Sequence, residues 1–138
     1  MSTVQPEIGK DTPLLKIAFI LSALCIPLII LQSTIGLTVP GSYAKDGAWG
    51  RAVWLGNDVV NLFIFTPLLL IAILLYKRGS AKGILFWLGT QGLITYDYLY
   101  YPLAVAYNQY FLLYVAILGI SFYSFLFGIT GIDFSKYE

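Results

Sequence analysis

The sequence predicts an all-α, polytopic membrane protein: a bundle of four transmembrane helices with an outer interfacial segment in the loop between the first and second. Three observations predict it. Apolar residues fill 59% of the 138 positions while charged residues fill only 11%, far below the roughly 25% of an ordinary soluble domain. A chain this short cannot hide so much apolar surface in one soluble core. Finally, the apolar residues are not dispersed but gathered into four long runs, Ile17 to about Gly36, Val59 to Tyr76, Gly83 to about Tyr107, and Phe111 to Thr130.

Crossing a hydrocarbon layer takes about 20 helical residues, and each run is long enough. Together they form a single transmembrane domain over residues 1–138. Pro27 and Pro67 interrupt the first two runs, and Pro102 near the end of the long third run predicts a kink or tilt there. Prolines are tolerated inside membrane helices where neighbours satisfy the carbonyls they leave unbonded. The first run continues past the length of a signal-peptide core and has Leu24, not a small residue, before Cys25; the reading is a retained helix.

Basic residues in short loops set the orientation. Lys10, Lys16, Lys77, Arg78, Lys82 and Lys136 fall on the side of the amino terminus, second loop and tail, against Lys45 and Arg51 in the first loop. The expected location is the cell membrane, multi-pass, with both termini cytoplasmic. Tyr76 and Trp87 are then expected at the inner interface, and Trp49, Trp54, Tyr107 and Tyr110 at the outer one. The first loop, Thr38 to Asn57, is broken by Pro40, Gly41, Gly47 and Gly50, and Gly47 to Leu55 is expected to lie along the headgroups with both tryptophans in lipid.

Composition excludes several functions. Eight basic against seven acidic residues give no field for nucleic acid. With no histidine and Cys25 as the only cysteine, no metal site, haem or other cofactor is expected. Small residues recur at helical spacing, Ala18, Ser22 and Cys25 in the first run and Ser121, Ser124, Gly128 and Gly131 in the fourth, and predict close packing of those helices.

Asp97 stands out as the charged residue well inside a run. A carboxylate there costs on the order of 3 kcal/mol unless paired, hydrated or protonated, which makes it a functional candidate. Helical spacing places it on one stripe with Thr90, Tyr101, Ala104 and Asn108, and Asp58, Asn61 and Arg51 enter or precede the second run at the same depth. The candidate polar or ligand site is therefore Asp97, Tyr101, Asn108, Asp58, Asn61 and Arg51, with no catalytic residue assigned. A structural Asp97–Arg51 pair, or an internal water beside Asp97, is the simplest arrangement of these groups.

Gly56-Asn57-Asp58, Pro67-Leu68-Leu69-Leu70, Arg78-Gly79-Ser80, Trp87-Leu88-Gly89, Tyr96-Asp97-Tyr98 and the stretch from Asn108 to Tyr114 together resemble an uncharacterised family of prokaryotic multi-spanning membrane proteins. The resemblance runs from about residue 50 to residue 134. It implies further spans beyond Ile132, so that this chain corresponds to the amino-terminal half of such proteins. Those proteins carry an amide where Asp97 stands, which implies hydrogen bonding there in place of proton relay.

Three functions follow, in order. The first is a non-enzymatic interaction or accessory subunit whose partners are the lipid bilayer and a second copy or a larger membrane protein. The second is a transporter or channel component using the polar stripe around Asp97. The third is an intramembrane hydrolase using Asp58 and Asp97.

Overall fold

A computed structural model describes residues 12–133 and residue 135; Lys10 and Lys136, which enter the charge count above, lie outside the described residues. The protein is all-α, built from four long helical rods. The first is α1, Pro13–Thr38. Thr12 caps it: its hydroxyl accepts from the Leu15 amide at 3.2 Å and donates to the Gly131 carbonyl at 2.9 Å, and proline opens the helix.

The second rod is continuous from Ala44 to Lys77, 34 residues. It comprises a short 3₁₀ turn (Ala44–Asp46), α2 (Gly47–Val60), one π turn (Asn61–Phe65) and α3 (Thr66–Lys77). Pro67 explains the π turn in part. Proline has no N–H to continue the ladder, and the turn before it widens so that both the amide and the hydroxyl of Thr66 bond the Asn61 carbonyl, the hydroxyl at 2.8 Å.

Gly79, at φ 73°, makes the turn into α4, Ala81–Ala104. Ser80 caps it by accepting from the Gly83 amide at 3.0 Å. After a short connection comes α5, Phe111–Gly131. The rods close a ring in which α1 packs on α5, α5 on α4, α4 on α3 and α3 on α1. Short links between successive rods make those neighbours antiparallel.

Three helices are long and apolar enough to cross a membrane: α1, the Ala44–Lys77 rod and α5. With 24 residues α4 reaches about 36 Å, at 1.5 Å per residue, and so is also long enough. It is less apolar because it turns Thr90 and Gln91 into the ring.

The small residues of the first and last runs pack closely against neighbouring helices, as predicted. Ser124 donates to the Ala18 carbonyl at 2.7 Å, and an added Cβ at Gly128 or Gly131 would fall 2.7 Å from Leu88 Cδ2 or 2.9 Å from the Leu15 amide nitrogen. A second polar knot lies in the half of the bundle near Lys77. There Trp87 donates to Ser22 at 2.8 Å, Ser22 donates to Gln91 at 2.6 Å, and Gln91 reaches the Ser121 carbonyl at 3.4 Å.

Several expectations need correction. The segment from Gly47 onward is helix running into the second span, not loop. Its inward side, Trp54, Asp58 and Asn61, recurs at helical spacing and packs into the ring. Trp49 is 82% exposed as expected, but Trp54 is only 8% exposed, bonded through its indole N–H to Asp46 at 3.2 Å and packed on Tyr101. Tyr76 and Trp87, expected at an interface, are core residues with ring centroids 5.0 Å apart. The third run leaves the helix after Ala104, two residues beyond Pro102, so Val105 to Asn108 do not continue it.

Candidate functional site

The polar groups at the end of the bundle bearing the α1–α2 turn converge on Asp58. It lies one turn before the π segment, is fully buried, and accepts three neutral donors. Tyr43 donates its hydroxyl at 2.6 Å to Oδ2; Gln32 Nε2 at 3.0 Å and the Tyr101 hydroxyl at 2.8 Å donate to Oδ1. The donors come from the loop after α1, from α1 itself and from α4, so a single carboxylate ties three parts of the chain together.

Each donor is held by a further contact. Gln32, its amide nitrogen committed to Asp58, presents Oε1 to the Tyr98 hydroxyl at 2.7 Å. Tyr98 stacks on Tyr101 with ring centroids 4.9 Å apart, and Tyr101 is flanked by Trp54 and Tyr114. Asn61 Nδ2 donates to the Tyr101 oxygen at 3.0 Å. Burial, then the charge of Asp58 beside it, holds the Tyr43 phenol well above its ordinary titration range, so Tyr43 is a donor here.

Gly36 admits this arrangement. A Cβ on it would collide with Asp58 Oδ2 and come within 2.8 Å of the Tyr43 hydroxyl, so α1 can close over the carboxylate only with hydrogen at that position. Hydrogen bonds to a charged group contribute about 1.5–3 kcal/mol each, and three of them are comparable with the several kcal/mol that desolvating a carboxylate costs.

Asp97 is placed differently. It is half-buried, and Oδ1 accepts from Asn57 Nδ2 at 3.3 Å, while Asn61 lies against the same carboxylate. Oδ2 is buried without a partner, and so are Asn61 Oδ1 and Ser33 Oγ. Asp97 does face the second rod, as expected, but its partner is Asn57 and not Arg51.

Arg51 is exposed, in a groove with Gly36, Tyr43 and Leu55, and is not a partner of either acid. It stands seven residues before Asp58, about 10 Å along the helix, and Asp58 Oδ2 is engaged by the Tyr43 hydroxyl instead. Asn108, beyond the end of α4, is off the predicted stripe. Its amide donates to the Ser42 carbonyl at 3.3 Å and the Tyr114 hydroxyl at 3.2 Å, which secures the rim of the network.

Thus Asp58, Asn61 and Tyr101 come together, Asp97 adjoins them, Asn108 braces the rim, and Arg51 stays outside. Gln32 and Tyr43 complete the network around Asp58, and no sequence pattern singled them out. Gln32 was findable, because an amide near the end of an otherwise apolar run needs buried partners just as an acid does. No protein-family model, no curated protein and no solved structure matches the chain.

Proposed function

We propose that the protein is a non-enzymatic integral membrane protein of the cell membrane whose polar centre handles a small cation or a proton, as a transporter or channel component does. The observation that supports this reading is Asp58, a fully buried carboxylate held by neutral donors alone. A subunit that only assembles with others has no need of such a group, since apolar side chains join helices at lower cost in desolvation. Intramembrane carboxylates that face a bundle interior mark ion or proton sites by default.

Hydrolysis is disfavoured by the same geometry. A carboxylate dyad must share one site and one water, whereas Asp58 and Asp97 have Tyr101 and Asn61 between them. In the bilayer, the Lys77, Arg78 and Lys82 end faces the cytoplasm and the Asp58 end faces outward, both termini being cytoplasmic. The exposed apolar girdle, including Phe63, Leu103 and Leu112, meets lipid or a partner subunit.

Reconstitution into liposomes tests the proposal. Under an imposed pH, Na⁺ or K⁺ gradient, the protein should dissipate one of them, and Asp58→Asn should abolish that flux while retaining a folded bundle. Absence of every such flux in the wild type, or wild-type flux in Asp58→Asn, overturns it.

A further inference from the structure

We infer that the ligand of Asp58 is a proton and not a metal cation, and that it reaches the carboxylate from the groove beside Arg51 through the hydroxyl of Tyr43. The inference rests on the cation- or proton-handling reading above and narrows it to one ligand and one entrance.

The ligand follows from the direction of the hydrogen bonds. A metal cation is held by oxygen lone pairs that replace its hydration shell. The three bonds at Asp58 instead aim hydrogens at the carboxylate: Tyr43 at Oδ2, and Gln32 Nε2 and Tyr101 at Oδ1. Gln32 keeps its own oxygen turned away, because Oε1 accepts from the buried Tyr98 hydroxyl at 2.7 Å. The two phenol oxygens are engaged as well, Tyr43 by Gln32 Nε2 at 3.2 Å and Tyr101 by Asn61 Nδ2 at 3.0 Å. A metal cation entering here would meet N–H and O–H hydrogens on every bonded side. A proton needs no shell of oxygens: it binds one carboxylate oxygen and turns that oxygen into a donor.

The entrance follows from what lies on either side of the carboxylate. A groove of about 370 Å³ runs between the end of α1 and the start of α2, with Gly36, Tyr43, Arg51 and Leu55 in its wall. Gly36 and Tyr43 are also the two residues packed on Asp58 Oδ2. One layer of protein therefore separates groove from carboxylate, and Tyr43, 2% exposed, closes it. Tyr43 sits on the link after α1, so its displacement opens the groove without parting two rods. The opposite direction is sealed more thickly. One turn beyond Gln32, Tyr98 and Tyr114 stand Ile29, Ile94 and Ile117, all fully buried, and beyond them the knot of Ser22, Trp87 and Gln91.

Arg51 makes the groove positive, and among the described residues no acid lines it. Mouths that gather metal cations carry Asp or Glu, whereas a proton is delivered by the water in the groove. In the transfer, a hydronium ion in the groove gives up one O–H bond to the Tyr43 oxygen as Tyr43 gives up its own to Asp58 Oδ2. One O–H bond forms on Tyr43 and one on Asp58, and a neutral water is left behind. Tyr43 is a phenol before and after, as its burial beside Asp58 requires. The other titratable groups around Asp58 are the phenols of Tyr98 and Tyr101 from α4 and, behind Tyr101, Tyr114 from α5. From α1 come Gln32 and Gly36, which do not titrate, and Asp97 of α4 is bonded by Asn57.

Flux in proteoliposomes tests both parts, with Cys25→Ala as the background. Proton flux should persist when choline is the sole other cation, and uptake of Na⁺ and K⁺ should stay at the level of protein-free liposomes. Tyr43→Phe keeps the ring and should lower proton flux by about tenfold or more, with circular dichroism showing the bundle folded. Leu55→Cys, labelled in detergent with a bulky charged thiol reagent before reconstitution, should lose the flux. Ala48→Cys, exposed but outside the groove, should take the same label and keep it.

Flux of Na⁺ or K⁺ that vanishes in Asp58→Asn keeps the functional reading and overturns the proton. Proton flux at the wild-type rate in either Tyr43→Phe or labelled Leu55→Cys overturns the entrance. Absence of flux for every ion overturns the functional reading and this inference with it.

Discussion

Replacing Gly36 by alanine inserts one methyl group where the structure has least room for it. The added Cβ would overlap Asp58 Oδ2 and lie 2.8 Å from the Tyr43 hydroxyl. Either α1 retreats from the second rod or the carboxylate swings away and loses a donor. Overpacking alone costs about 1–3 kcal/mol, and a lost hydrogen bond to the charged group adds about 1.5–3 kcal/mol. A destabilisation of about 3–5 kcal/mol follows. Reversible denaturation in mixed micelles, followed by tryptophan fluorescence, measures it. Gly89→Ala and Gly119→Ala serve as controls, because a Cβ at either position meets nothing within 4 Å; each should be neutral or slightly stabilising, since alanine favours helix by up to about 1 kcal/mol. If Gly36→Ala is as stable as these controls, the carboxylate is not packed against α1 and the description of the site is wrong.

Other perturbations follow from single contacts. Gln32→Leu removes a donor from Asp58 and the acceptor of the buried Tyr98 hydroxyl, and should cost about 2–4 kcal/mol in the same assay. Ser22→Ala leaves the Trp87 indole without its acceptor; the fluorescence of a variant in which Trp87 is the only tryptophan should change, with a stability loss of about 1–3 kcal/mol. Single-tryptophan variants should also separate Trp49 from Trp54: brominated lipid or an aqueous quencher should reach the exposed Trp49 and spare the buried Trp54. For orientation, cysteines introduced in place of Lys77 or Lys82 should resist an impermeant thiol reagent in intact cells, whereas one at Ala48 should react; the opposite pattern refutes the assigned topology.

The helical spans were legible because apolar run length reports directly on a helix buried in lipid. Close packing of α1 and α5 was legible too, since Ala18, Ser22, Ser124 and Gly128 show helical spacing and small size together; which helix each one meets was not, for Ala18 and Ser124 join α1 to α5 while Ser22 and Gly128 pack on α4. The extent of α2 was hidden by Gly47 and Gly50, which read as loop punctuation; tertiary packing of Trp54 and Asp58 overrides their weak propensity. Asp97 drew attention over Asp58 because it lies deeper in its run. Depth along one helix, however, does not say which acid neighbouring helices will enclose. Asp58 became the centre through Gly36, which lets α1 approach, and through Tyr43, a loop residue whose distance in sequence from Tyr101 no periodicity can bridge. Arg51 illustrates the same limit: helical spacing puts it on the Asp58 side of α2, yet it is exposed, and the carboxylate is held by Tyr43, Gln32 and Tyr101. Asn108 left the stripe because the helix ends after Ala104, a boundary that Pro102 marked only approximately.

Solid-state NMR on the chain in lipid bilayers, with aspartate, tyrosine and arginine side chains labelled, shows whether neutral donors or a basic residue hold the Asp58 carboxylate inside the bundle. Through-space contacts from Asp58 Cγ to the ring Cζ atoms of Tyr43 and Tyr101 are the predicted result, each lost on replacing the respective tyrosine by phenylalanine at the labelled site. A contact from Asp58 Cγ to the Arg51 guanidinium carbon, with neither tyrosine contact present, would contradict the site as described.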